Sequence, residues 1–309
     1  MLRARREGFE AVTLGARKGD LQATFVPGAG IVCCSLRYRG EELLAQRDGV
    51  RAYAERGATM GIPLLYPWAN RLAGLDYPGP HGAVELAHAG ALLKLDANGL
   101  PIHGVLPGAL PWELLAGDDA GGEELRARLR WERSELLAIY PWRHEVELRA
   151  RVAGATLTIE TTVRAGQDGG LPVSFGHHPY ITLPRGERGA WELELPVGRR
   201  LVLDARMIPT GASEPFERRR FALAQSGWDD AFAGLRTPPV FAATGGGVRI
   251  ALELVRGYSY AQLYAPAGER FVCFEPMTAP TNALRSGDHL TRLASGETFH
   301  AAFAITVGA

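Results

Sequence analysis

The residues best suited to moving a proton lie in two short segments, Val272-Cys273-Phe274-Glu275-Pro276-Met277-Thr278 and Ser174-Phe175-Gly176-His177-His178-Pro179-Tyr180. In the first, Phe271, Cys273 and Glu275 alternate with Val272 and Phe274, so Glu275 shares a strand face with two apolar residues. Proline has no N–H to give a sheet ladder, and the strand is expected to stop or fray at Pro276. A carboxylate at the last position of a buried face is either paired, or its pKa is raised and it moves protons. In the second segment two histidines precede a proline and an aromatic. Neighbours on a strand point to opposite faces, so at least one of the two is expected to be structural. His178, directly before proline, is held extended. Glu275 with one histidine would supply one base and one acid.

Three further segments set polar groups beside aromatic, glycine or proline residues: Gly61-Ile62-Pro63-Leu64-Leu65-Tyr66-Pro67-Trp68-Ala69-Asn70-Arg71, Ile102-His103-Gly104 and Trp228-Asp229-Asp230-Ala231-Phe232. Aromatic surface next to Asn, Arg and Asp suits a sugar, whose C–H faces stack on rings while planar polar groups bind its hydroxyls. Taken singly, each has a plain structural reading. Glu275 could be an edge-strand acid, His103 a hydrogen-bonded loop residue, Asp229-Asp230 a turn or helix cap, and Arg71 half of a surface ion pair. A metal held by His103, His177, His178 and Asp229 is disfavoured. Adjacent histidines rarely converge on one ion, and H-x-H and H-x-x-x-H spacings are absent. His81, His88, His144, His289 and His300 have no polar company readable in the sequence.

The elements that must carry these residues are mostly strands. Leu125 to Glu132 alternates apolar and charged residues, as a half-buried strand does. Val146, Leu148, Ala150 and Val152 repeat the pattern, and after Ala153-Gly154-Ala155 it returns at Leu157, Ile159, Thr161 and Val163, an antiparallel meander. Val248 to Leu254 is another such strand, and Leu21 to Val26 with Ile31 to Tyr38 form a hairpin. Glu41 to Arg47 and Val50 to Gly57 read as short helices. The 38 glycines and 20 prolines are spread throughout, marking frequent turns. No linker or repeat divides the chain. The expectation is an all-β fold, one large antiparallel β-sandwich over residues 1–309.

Bulk properties narrow the partners. The 309 residues carry 34 basic and 34 acidic side chains, and that balance argues against nucleic acid or an anionic membrane as main partner. The N-terminus begins charged with no apolar stretch behind it, and no run approaches the ~18 apolar residues of a spanning helix. Cys33, Cys34 and Cys273 form no C-x-x-C pair, so a disulfide framework or zinc ribbon is not expected. A soluble cytoplasmic protein is expected.

Taken in order, the five segments resemble the aldose 1-epimerase (galactose mutarotase-like) family, which shows P-x-x-N-R, H-G, H-x-Y-F, D-x-x-F and, near its end, E-P. Here these stand as Pro67 to Arg71, His103-Gly104, His178 to Ile181, Asp229 to Phe232 and Glu275-Pro276, with Ile181 in place of the usual Phe. Met277 to Ala283 looks like the bacterial branch, which includes relatives acting on hexose 6-phosphates. The resemblance covers about residues 8 to 306. It implies the galactose mutarotase-like supersandwich and interconversion of the α and β anomers of a hexose, free or phosphorylated, without cofactor or metal. It also implies Glu275 as base, His178 as acid, and His103 near the ring oxygen. Asn70, Arg71 and Asp229 would hold hydroxyls, and Trp68 and Tyr180 would line the cleft. A hexose-6-phosphate 1-epimerase and a non-catalytic sugar-binding protein on the same fold are the alternatives.

Overall fold

A computed structural model describes residues 2–15, 20–115, 122–224 and 226–308. Two large antiparallel sheets dominate, one of nine strands and one of eight, with a five-stranded sheet beside them whose first and last strands are Leu2–Arg6 and Glu41–Glu42. The amphipathic stretches fold as their periodicity predicts. Glu124–Trp131, His144–Ala153, Thr156–Ala165 and Val248–Arg256 all lie in the nine-stranded sheet. Their apolar positions are buried, while their arginines and glutamates pair across strands, as Arg126 does with Glu147.

The core lies between the two sheets. Phe232, Leu263 and Phe274 of the eight-stranded sheet meet Phe241, Leu252, Phe303 and Ile305 of the nine-stranded one in a single cluster. The Phe241 and Phe274 rings are 5.5 Å apart, a pair worth about 0.5–1.5 kcal/mol beyond the area it buries. This fixes which way each strand of the eight-stranded sheet faces. Residues in step with Phe274 point inward, and those in step with Glu275 point to the opposite face.

Two expectations give way. Glu41 to Arg47 is not helical; Glu41–Glu42 pairs with Arg37 and Tyr38 as a short strand. The Glu42 carboxylate accepts from the Ser35 hydroxyl and from the Leu36 and Leu44 amides, and those bonds outweigh helix propensity. The second helix forms, at Gly49–Arg56. The strand carrying Glu275 does not stop at proline. It runs Val272–Met277, and Pro276 and Met277 still pair with Ala261 and Tyr260. Among the described residues no helix is long and apolar enough to cross a membrane.

Candidate active site

The strand Val272–Met277 lies between Tyr260–Ala265 on one side and two fragments, Gly176–His177 and Tyr180–Ile181, on the other. Gly176 pairs with Met277 and Tyr180 with Cys273. Carrying that register through the unpaired interval sets His177 opposite Pro276, His178 opposite Glu275, and Pro179 opposite Phe274. Two of those positions are prolines, which cannot donate, so the ladder opens there. The His178 amide turns away to the Pro63 carbonyl. Gly176 makes the close approach possible, since a Cβ there would lie 2.6 Å from the Pro276 carbonyl oxygen.

Within the gap, His178 Nε2 lies 3.2 Å from Glu275 Oε1. Both residues are almost fully buried, so little water screens the contact between them. Burial, with Asp229 adding, raises the Glu275 carboxyl well above its usual range, although Arg71 opposes the shift. Burial drives the His178 imidazole down to about 3, with Arg47 and Lys94 contributing. The result is a carboxylate that is a stronger base than usual beside an imidazolium that would be a stronger acid. Glu275 Oε2 and His178 Nδ1 are buried without a hydrogen-bond partner among the described residues. The Tyr180 ring stacks flat on His178, with centroids 4.4 Å apart, and fixes its plane.

His177 points the other way. Its Nδ1 lies 3.1 Å from the Tyr258 hydroxyl and its ring packs on Phe303 in the core. The adjacent histidines therefore divide into one structural and one cavity-facing residue.

The same face continues across the sheet. Gln262 pairs with Glu275 and Ala231 with Gln262, which brings Asp229, two residues before Ala231, onto the Glu275 side. Gln262 Nε2 donates to Asp229 Oδ1 at 2.5 Å. Asp230 pairs with Arg200 instead. Burial raises the Asp229 carboxyl, opposed by the Gln262 bond.

The remaining wall comes from two loops that clasp each other. The His103 amide donates to the Asn70 carbonyl and the Val105 amide to the Tyr66 carbonyl. Asn70 and His103 both have positive φ, 57° and 66°, a region unusual outside glycine and concentrated at functional sites. Gly104 follows at φ 73°, where a Cβ would sit 2.0 Å from the Tyr66 carbonyl oxygen. The His-Gly pair is thus a bulge that turns the His103 ring toward His178, with centroids 5.6 Å apart. Burial, with His178, Lys94 and Arg71 adding, holds His103 well below its usual pKa. Arg71 is fixed by Asp96 at 2.7 Å and by the Asn70 side chain at 3.0 Å.

These groups enclose a cavity of about 280 Å³ lined by Asn70, Arg71, His103, His178, Tyr180, Asp229 and Glu275, and also by Arg47, Thr59, Lys94, Ile102 and Tyr264. It falls just below the ~300–1,000 Å³ of drug-sized ligand sites, a size suited to one sugar ring. Trp68 is not among the lining residues. It is fully buried in the core, where its backbone bridges to Ser174. Sharing a motif with Asn70 and Arg71 does not bring it to the cavity, and Tyr264 is the aromatic there instead. Arg47, Thr59, Lys94 and Tyr264 gave no sequence signal. His144, also without readable company, is buried against the Tyr66 hydroxyl at 2.6 Å. Among the described residues no group of three or more His, Cys, Asp or Glu side chains is placed to hold a metal.

A profile of the aldose 1-epimerase family matches residues 11–306, and the chain belongs to that family. A search of curated protein sequences finds no match. Solved structures share the fold. A galactose mutarotase-like protein from Clostridium acetobutylicum superposes with a TM-score of 0.83 at 17% identity, covering 98% of both chains. A protein of Synechocystis sp. PCC 6803 gives 0.79 at 22% identity, covering 100% of this chain and 98% of its own. A galactose 1-epimerase from Lactobacillus acidophilus NCFM gives 0.77 at 13% identity, covering 99% and 97%.

Proposed function

We propose that this member of the aldose 1-epimerase family interconverts the α and β anomers of an aldohexose, with residues 1–309 acting as one carbohydrate-active domain. The observation that carries the reading is the buried His178–Glu275 pair at 3.2 Å on the floor of a cavity the size of one sugar ring. Anomer exchange removes a proton from the C1 hydroxyl and delivers one to the ring oxygen. Both oxygens are bonded to C1, so base and acid must stand side by side, as these two do.

In the forward step Glu275 takes the C1 hydroxyl proton while His178 protonates the ring oxygen, and the C1–ring-oxygen bond breaks. The open aldehyde rotates about C1–C2. Return of the two protons by the reverse route closes the ring on the other face. Burial raises the Glu275 carboxyl and lowers the His178 imidazole, shifts that make the carboxylate a stronger base and the imidazolium a stronger acid. His103, held largely neutral, hydrogen-bonds beside the ring oxygen. Asn70, Arg71 and Asp229 hold ring hydroxyls, and Tyr180 backs His178.

A non-catalytic sugar binder on this fold has no use for a buried imidazole 3.2 Å from a buried carboxylate in the cavity wall. The test is NMR exchange or polarimetry on a panel of aldoses. Acceleration of anomer exchange is expected. Binding without any acceleration would favour the sugar-binding alternative.

A further inference from the structure

The stretch Met277 to Ala283 takes no part in the proton transfer described above, yet every position in it except Asn282 is buried. It leaves the Glu275 strand at Met277, and the Thr278 amide and hydroxyl both donate to the Phe175 carbonyl, each at 3.0 Å. It then reaches the loop that bears Asn70 and Arg71. There Asn282 bonds twice to one short length of that loop. Its amide donates to the Arg71 carbonyl at 3.0 Å, and its side-chain Oδ1 accepts from the Ala73 amide at 2.8 Å. The Asn282 carbonyl in turn accepts from the Arg285 and Ser286 amides of the short helix Ala283–Ser286, and Arg285 donates to the Asp76 carbonyl at 2.6 Å.

These bonds fall where the loop parts from the sheet. Leu64–Leu65 pairs with Gly176–His177, and the Ala69 amide donates to the Ser174 carbonyl. Past Ala69 the loop turns to its clasp with Ile102 and His103. The Arg71 side chain is held inside that clasp, by Asp96 and Asn70. Those contacts place the guanidinium relative to His103, and they do not by themselves set its distance from Glu275. Glu275 and Asn282 are seven residues apart on one buried run. The two Asn282 bonds therefore carry the position of the Glu275 strand to the Arg71 backbone. The residue type suits the task. Asn282 has φ 71°, in the left-handed region that asparagine tolerates better than most residues. Glycine tolerates it too, but has no oxygen to offer Ala73.

We infer that Asn282 is a positioning residue, which holds Arg71 at the distance from Glu275 that a bound aldose must span. This rests on the mutarotase reading of the cavity and adds to it a residue outside the cavity wall, since Asn282 is not among the lining residues. It acts through Arg71. Without the Oδ1 bond the Arg71 loop is free to drift from the strand, and its grip on ring hydroxyls weakens in ground state and transition state alike. The His178–Glu275 pair keeps its own geometry, because neither residue bonds to Asn282. A loss of that kind falls on KM and spares kcat.

Two substitutions separate the bond from the backbone. Asn282→Gly keeps the left-handed conformation and removes Oδ1, whereas Asn282→Asp keeps an acceptor for the Ala73 amide. NMR exchange on glucose and galactose gives KM and kcat, calorimetry gives Kd for 1,5-anhydroglucitol, which cannot mutarotate, and thermal melts give stability. The glycine variant should raise KM and Kd by about three- to tenfold, the usual worth of one neutral hydrogen bond, with kcat within about twofold of wild type. Aspartate should restore both constants. In an Arg71→Ala background the glycine substitution should raise KM no further, because the residue it acts through is gone. A glycine variant that loses melting temperature alone, an effect that persists in full without Arg71, or an aspartate variant as impaired as the glycine one overturns the positioning role and leaves the mutarotase reading standing. If wild type binds sugar without exchanging anomers, the mutarotase reading falls, and the Kd values decide the role of Asn282 by the same comparisons. A wild type that neither exchanges nor binds these sugars overturns both.

Discussion

Replacing Glu275 with glutamine should abolish anomer exchange and leave the fold as stable as before, or more so. The shape is conserved, and the amide keeps the polar contact with His178 Nε2. Gln262 faces Glu275 across the strand pair with an unpartnered Oε1, so the new N–H group has an acceptor at hand. What is lost is the group that takes the proton, worth about 10²–10⁴-fold in rate, or about 2.7–5.5 kcal/mol of barrier. Stability moves the opposite way. The folded-state pKa of Glu275 is raised, chiefly by burial, so the folded protein binds this proton more tightly than the unfolded chain. Its carboxyl therefore costs the fold nothing below the unfolded pKa and an increasing amount as pH climbs toward the folded pKa. The difference between variant and wild type should widen by about 1.4 kcal/mol per pH unit across that window. Polarimetry gives the rate, and thermal melts at pH 5 and pH 8 give the stability. Retention of more than about a tenth of the wild-type rate, well short of a lost general base, would show that Glu275 is not the base. A melting temperature that falls equally at both pH values would make the residue a structural one.

The adjacent histidines should separate cleanly. His178→Asn is expected to lose about a hundredfold or more in kcat with little change in melting temperature, whereas His177→Asn should lower the melting temperature by removing a packed ring and its bond to Tyr258; equal activity losses at equal stability would refute the division. Arg71→Ala should lower kcat/KM for free hexoses by about ten- to a hundredfold, and it should also lower the melting temperature because Asp96 loses its partner. If only phosphorylated sugars are affected, Arg71 contacts phosphate rather than ring hydroxyls. Activity should survive EDTA, since the residues assigned to proton transfer need no metal; a loss reversed by zinc or manganese would overturn that.

The parts of this molecule governed by a short period were readable in the sequence. Alternation over Val146 to Val163 gave both strands of the meander, and alternation at 177–178 separated a core histidine from a cavity histidine. It also placed Glu275 opposite in sense to Phe274. The misreadings arose where a contact distant in the chain overrides a local rule. Pro276 was expected to end its strand, but the strand pairs with Tyr260–Ala265 on one side, and the facing fragments leave a gap where the missing donor is not needed. Trp68 was expected at the cleft because its motif neighbours are there, yet its backbone bridge to Ser174 sends it into the core. Arg47, Thr59 and Lys94 stand outside any periodic element or motif, and only the folded chain brings them together.

The strand Val272–Met277 joins two groups of strands in the eight-stranded sheet. Tyr260–Ala265 and its neighbours lie on one side; Gly176–His177 and Leu64–Leu65 lie on the other. Among the described residues nothing else in that sheet's strand order connects them. A growing chain that has not yet delivered this strand has no continuous sheet on which to assemble the cavity, and it lacks Glu275 as well. The loops bearing Asn70, Arg71 and His103 can clasp one another much earlier, since their mutual hydrogen bonds lie within residues 66 to 105. Synthesis therefore orders the assembly of the cavity: the clasp that carries Asn70, Arg71 and His103 can form first, and the His178–Glu275 pair is completed only when a late strand closes the sheet. Under the proposed mechanism, anomer exchange would report that the whole sheet has formed.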